Sequence, residues 1–414
     1  MPLYSSLNPR VPAGTAEGRL TVSSSVSLPQ GGGSVSHANT APDVDADNSS
    51  GTLYYTPYVG NRISMFDGTQ WNMEVFPAST SLSLLNAFAN ETFDVFGFMN
   101  GGPGGTFAME RVAWGTNTAY NISGVTVGAT TTITFTEPGG TQPFVVGDVV
   151  EVKDTNGTAG TTILHGAWAV TAVGGSGTTR TVDLASVTTT GLTYTGGGTI
   201  RKNKNTRSAA LAVQDGIYVK SGDPTRKYLG TFRTTGQNNL TIDNRTKRFV
   251  WNYYNRCARS IVKIEQTNTW TYGTSTWRAM NNRADNRLEF VTGMAEDTVT
   301  VSAAISFRGP APSPPPTEPQ FTIINSAVVV GIAVNNNLAN NVSSDGIGYL
   351  CQMTRDAYNS LFQPGYATMQ KSFDGYNFLT ATEWAYSSRA ATTCEVVSYL
   401  AGVRSGGITG VIYG

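Results

Sequence analysis

Five carboxylates on or beside strand-like segments, Glu265, Glu289, Glu296, Asp297 and Glu383, are the residues of this chain best suited to chemistry. Two carboxyl groups flanking a glycosidic bond suffice to cleave it, one as acid and the other as base or nucleophile, so the reaction within their reach is glycoside hydrolysis. A strand-rich surface also brings carboxylates together by chance, and a non-enzymatic chain is the weightier expectation. Other catalytic sets are thinly supplied. The two histidines, His37 and His165, are far apart in sequence, which argues against a histidine-rich metal site and most histidine-based nucleophiles. No phosphate loop, dinucleotide fingerprint, nucleophile elbow or paired-cysteine spacing occurs. The run "DVDADNSSG" alternates Asp43, Asp45 and Asp47 like a calcium loop, but Tyr54 stands where an EF-hand needs its glutamate, so a solvated turn is expected. No catalytic residue, cofactor or metal is assigned.

Binding chemistry points to aromatic residues. "KRFVWNYYNR" carries Trp251, Tyr253 and Tyr254, and "NTWTYGTSTW" carries Trp270, Tyr272 and Trp277. Such rings can stack on sugars, so a polysaccharide is one candidate ligand, or they can fill cores and subunit interfaces. Nucleic acid is disfavoured because 28 basic residues balance 28 acidic ones and leave no net field. In an alternating strand Val250, Asn252 and Tyr254 face one way and Phe249, Trp251 and Tyr253 the other. Both faces then carry an aromatic ring, so at least one must be core or interface. The flanking Arg248 and Arg256 are expected to pair with neighbouring strands. A basic tail, Arg201, Lys202, Lys204 and Arg207, reads either as a contact patch or as a solvated loop.

The elements that must position these residues are strands. Charged residues make up 14% and glycine 46 of 414 residues, a mixture that suits many short strands joined by glycine-rich turns. An all-β, multi-module fold is expected. Residues 1–50 are polar and low in large apolar groups, and read as an extended arm. A first β-module is expected over 51–117 and 206–224, with a hairpin at Asp67-Gly68. Between its halves, residues 118–205 alternate with glycine turns at the spacing of a small barrel or sandwich. The segment 225–414 reads as a jelly-roll-like sandwich, with the proline-rich stretch 309–319 as linker or loop. Two short segments have helical period, Ser81–Asn90 and Arg355–Phe362.

The three cysteines, Cys257, Cys351 and Cys394, are widely separated and odd in number, so buried thiols and synthesis in a reducing cytoplasm are expected. "MPLYSSLNPRVPAG" has neither the basic region nor the apolar core of an export signal, and "SAVVVGIAV" is about half a membrane span. No membrane insertion is anticipated.

The phrases "TLYYTPYVGNRISMFDGTQW", "LAVQDGIYVKSGDPTRKYLGTFRTTG", "KRFVWNYYNRCARSIVKIEQTNTWTYGTSTWRAMNN" and "NRLEFVTGMAEDTVTV" occur in this order. Together they resemble a family of virion proteins of tailed bacteriophages, the tail-fibre and head-fibre proteins. The resemblance spans about 52–117 and 206–301. It implies a structural subunit of a tail or baseplate fibre that contributes to host attachment, or alternatively a head fibre, decoration or neck protein. It further implies a homo-oligomer, with a closed trimer expected of fibres because rotation buries apolar edges, and an N-terminal arm that contacts other virion proteins. The family runs from its "VAW" strand directly to the "QDGIYVKSG" type of strand, so 118–205 is an addition.

Overall fold

The computed structural model describes residues 14–22, 48–76, 79–115, 118–126, 130–153, 155–157, 164, 166–184, 193–202, 207–308, 324–335, 349–355, 363–387, 394–397, 399–400, 403–404 and 406–414. Among these the chain is all-β, and a single 3-10 turn at Met280–Asn282 is its helical content.

The N-terminal module pairs two sheets. Gly18–Thr21, Thr52–Pro57 and Thr80–Ser83 form the smaller one. The larger runs Leu211–Gln214, Ile217–Lys220, Asp223–Arg233, Thr92–Asn100, Thr106–Ala113, and Val250–Asn252 also pairs with Asp223–Arg233. Alternation sends Leu20 and Leu53 from one sheet, and Phe93, Phe107 and Phe232 from the other, into a shared core.

Residues 120–202 hold a closed antiparallel barrel, in the order Thr131–Thr136, Thr179–Leu184, Gly166–Ser176, Val149–Lys153, Thr199–Lys202, Tyr120–Thr126. Its own core contains Ile133, Phe135, Val150, Val182 and Ile200.

A two-sheet sandwich completes the chain. The first sheet runs Asn48–Ser50, Thr241–Asp243, Lys247–Arg248, Arg287–Thr292, Gly375–Ser387, Ile324–Val334, Tyr349–Arg355. The second runs Ala258–Ile264, Gly407–Tyr413, Thr298–Arg308, Cys394–Val397, Thr269–Tyr272, with Gln363–Ser372 also on Thr298–Arg308. Leu288, Phe290 and Leu379 meet Ile261, Val301 and Ile408 between them.

Four sequence expectations change. Part of the 1–50 arm belongs to the fold: Ala16 and Leu20 are core residues, and Gly18 lies so close to Tyr55 that a Cβ there would sit 2.3 Å from the ring. A few apolar residues were enough because a partner strand, Thr52–Pro57, waits beside them. Ser81–Asn90 is not a helix; Thr80–Ser83 pairs with Thr52–Tyr55, and Asn86 and Asn90 take positive φ values of 68° and 58° that no α-helix allows. The hairpin at 67–70 turns one residue later than expected, around Gly68 and Thr69, because Asp67 Oδ1 accepts the N–H groups of Thr69 and Gln70 at 2.8 Å each. Asp223–Arg233 runs through the boundary expected at 224/225 and bonds along Thr92–Gly97. Arg355 ends a strand, while 356–362, the proline-rich 309–319, His37, His165, Lys204 and the 43–47 aspartates lie outside the described residues.

Candidate functional site

The "KRFVWNYYNR" strand is wedged between two cores. Val250 and Tyr254 pack on the N-terminal module's core. Trp251, 1% exposed, and Tyr253 face the other way, onto Phe96 and Tyr228 of the N-terminal module's larger sheet and Val291 of the sandwich's first sheet. Asn252 copies a strand's hydrogen bonding: its Oδ1 accepts the Leu20 N–H at 2.6 Å, and its Nδ2 donates to the Leu20 carbonyl at 3.3 Å. The bracketing arginines point to neighbours. Arg248 Nε donates to the Ser260 carbonyl at 3.0 Å, and Arg256 reaches Asp297 at 2.5 Å and Glu296 at 2.9 Å while lying 5.4 Å over Trp251.

The second aromatic group gathers around a buried carboxylate. Glu383, 0% exposed, accepts from Trp270 Nε1 at 2.9 Å, Arg278 Nε at 2.7 Å and the Asn281 N–H at 3.1 Å. Burial pushes its carboxyl above the ordinary value, against the pull of Arg278 and Trp270. Tyr272 lies under the Arg278 guanidinium at 3.7 Å and donates to the Thr276 carbonyl. Trp277 covers Gly331, where a Cβ would stand 3.0 Å from its ring. Trp251 and Tyr272 are thus interior, and Tyr253, Tyr254, Trp270 and Trp277 half-buried. They form two groups and not one platform.

The remaining carboxylates occupy separate networks. Glu265, 1% exposed, is raised by burial, but hydrogen bonds from Asn286 and Thr267 and the charge of Arg283 outweigh it and bring the carboxyl below its usual range. Glu289 behaves alike: burial raises it, whereas the Tyr376 hydroxyl at 2.7 Å, Arg287 at 3.3 Å and Lys247 at 3.1 Å lower it further. Glu296 and Asp297 share Arg256. Glycoside cleavage wants two carboxyls facing one bond. Here each carboxyl faces fixed donors: Glu289 has its own set, while Glu265 and Glu383 are both held by the 280–286 turn, through the Asn286 side chain and the Asn281 N–H.

Sequence reasoning missed the polar centre of the junction. Asp94, 2% exposed, accepts from Arg207 Nε at 2.7 Å and from Thr231 at 2.7 Å, and the Tyr228 hydroxyl is 2.6 Å from Thr231. Arg207 also stacks 4.2 Å over Trp114, donates to the Gly293 carbonyl and lies 3.8 Å from Asp374. One guanidinium therefore ties the N-terminal module to the sandwich. Burial raises the Asp94 carboxyl even against Arg207. The available signal was an aspartate inside the apolar run "FDVFGF". Of the described residues in the expected basic tail, Arg201 pairs with Glu151 at 2.6 Å and Lys202 with Asp148 at 2.7 Å. Lys227, 1% exposed, donates to the carbonyls of Thr15 at 2.8 Å and Ser64 at 3.1 Å, and burial lowers it to about 7.

A cleft of about 180 Å³ opens between the 62–75 hairpin and the 99–103 turn, floored by Met65 and Met99 and rimmed by Asp67, Glu74 and Arg226. Its rim groups are engaged: Glu74 accepts the Gly104 N–H at 3.1 Å, and Arg226 lies 4.0 Å over Phe98. Among the described residues no group of three or more His, Cys, Asp or Glu could hold a metal, and no helix is long and apolar enough to cross a membrane.

No family model matches the chain, and no curated protein matches it. A solved structure titled "Structure of infectious bursal disease virus Gt strain" aligns with 95% of this chain and 80% of that chain at 9% identity and a TM-score of 0.21. A score that low carries no argument about fold or role.

Proposed function

We propose that this protein is a non-enzymatic structural component of a tailed-bacteriophage virion, a homotrimeric tail or baseplate fibre subunit that contributes to host-surface attachment. The observation that carries the reading is the position of the family-like phrase: "KRFVWNYYNR" lies between two cores and welds modules together, a mechanical use of aromatic residues. The carboxylates available for hydrolysis support it too, since they serve as anchors for arginine, tryptophan and tyrosine.

Imaging of purified particles with this subunit labelled is the test. Label at the tail tip or baseplate, together with purified protein that blocks adsorption, supports a fibre. Label spread over the head at hundreds of copies would move the reading to a head fibre or decoration protein, and particles without label would remove it. Release of reducing sugar from host polysaccharide, lost in Glu265→Gln or Glu289→Gln, would replace it with a depolymerase. Anchoring by the N-terminal arm is tested by deleting residues 1–13, because a deletion of 1–50 would also take Leu20 out of the core. Truncated protein that still enters particles rules that anchor out.

A further inference from the structure

Among the described residues, the second sheet of the sandwich leaves one broad face open. Ala258–Ile264, Gly407–Tyr413, Thr298–Arg308 and Gln363–Ser372 lie side by side. Val299, Val301 and Ile408 alternate inward to the core, so their neighbours in sequence point out. One row crosses all four strands by register, Ser260, Val411, Thr300 and Gln370, and every member is exposed. Ile264, Tyr366, Val411 and Tyr413 add exposed apolar surface at 42%, 59%, 40% and 42%. From Ala258, Tyr413, Thr298 and Ser372 at one end to Ile264, Gly407, Ala304 and Tyr366 at the other, no outward residue is charged. Lys263 and Lys371 occur on the same strands but alternate with that outward set.

We infer that this face is the surface through which copies of this chain associate. The charge pattern selects the occupant. A surface without charge offers nothing to an ionic partner, yet meets its own copy with no like-charge repulsion and no ion to strip of water. Size agrees: four strands at about 4.8 Å and seven residues at about 3.3 Å give roughly 19 by 23 Å, so two facing copies would cover on the order of 900 Å² in projection, near the ~1,000 Å² of a specific interface. One edge of the face, Ala258–Ile264, is blocked against strand addition, because Arg248 donates to the Ser260 carbonyl and the Val262 N–H to the Arg245 carbonyl at 2.6 Å. The inference rests on the proposed function only for an oligomer being formed; the face-to-face contact sized here is one pairwise interface and does not fix the number of copies.

Sedimentation of the purified full chain over a wide concentration range tests it, alongside Thr300→Arg and Val411→Lys. The expected result is reversible association of the parent chain, weakened about tenfold or more in each variant, with unchanged far-UV circular dichroism. Hydroxyl-radical footprinting of the parent gives a reading that needs no variant: Tyr366 and Tyr413 become protected as concentration rises. A parent chain that is monomeric throughout, variants that associate like the parent, or tyrosines protected equally at all concentrations, as a segment of the same chain would do, each overturn it. Failure here removes the face, whereas failure of the virion reading appears only in particle labelling.

Discussion

The two sheets of the sandwich turn very different outer faces away from their common core. On the first sheet that face carries Arg287, Glu289 and Tyr376, and the rest of the chain covers it. Arg233, at the end of the N-terminal module's Asp223–Arg233 strand, stacks 3.7 Å over Tyr376; Tyr376 donates to Glu289; and Thr380 and Thr382 are buried beneath. On the second sheet, the patch from Ala258–Ile264 across to 366–372 has outward positions that are Thr, Ser, Ala, Val, Ile, Gly, Gln and Tyr, mostly open to solvent and without charge. Charge is tolerated under cover where each ion has a fixed partner already in place. It is absent from the open face, where a partner would have to arrive with every association. The contrast separates intramolecular welding from intermolecular contact.

The largest effect should come from removing the weld. Trp251→Ala should cost about 3–5 kcal/mol in chemical unfolding, because the ring is buried against Phe96, Tyr228 and Val291 and little around it can collapse. Trp251→Phe should cost much less, since the indole N–H finds no hydrogen-bond acceptor in the fold. Equal losses in the two variants would mean that the strand does not carry packing between the cores.

Next is Arg207→Leu, expected to lose about 3–5 kcal/mol near neutral pH by leaving Asp94 buried without its cation. Its pH dependence has a defined sign. The folded Asp94 carboxyl lies above its ordinary value because of burial, so the folded state holds more protons than the unfolded one between those two values. Stability from this group therefore falls as pH rises through that window. Without Arg207 the folded value rises further, so acidification should recover part of the loss. A pH-independent loss would assign the effect to packing over Trp114 alone.

Lys227 offers a test of opposite sign. Its folded value of about 7 lies below the ~10.4 of an exposed lysine. Between the two the unfolded state holds more protons, so the Lys227 contribution rises with pH by at most about 1.4 kcal/mol per unit. The difference in unfolding free energy between the parent and Lys227→Met should change across that window and level off below pH 7. A flat difference would mean that Lys227 is charged in the fold.

Much of this architecture was legible because its carrier is period-two alternation, which needs no knowledge of partners. The split of Val250 and Tyr254 from Trp251 and Tyr253 follows from it directly, and both sets land on cores. Illegible were features decided by distant partners. Gly18–Thr21 looked like linker until Thr52–Pro57 is placed beside it, and Ser81–Asn90 showed helical period although an edge position was waiting for Thr80–Ser83. The Asp94–Arg207 pair spans 113 residues, and its only local trace is an aspartate among aromatic residues. The open face of the second sheet is likewise invisible in one dimension, because its lack of charge appears only when four strands are laid in register.

That register sets the smallest expected effect on the monomer. Thr300 is exposed, lies between Val411 and Gln370, and has no part in the core. Thr300→Arg should therefore change the unfolding free energy of the dissociated chain by no more than about 0.5 kcal/mol. The same arginine introduced on the covered face, as Thr380→Arg, would have to enter a site that is 0% exposed and should unfold the sandwich. Measured together under dilute conditions, the pair isolates cover from chemistry: both are threonines on central strands of one sandwich, and the substitutions differ in what lies above them. If Thr300→Arg were as damaging as Thr380→Arg in the dissociated chain, the second face would already be covered within the monomer, and its freedom from charge would reflect burial instead of assembly.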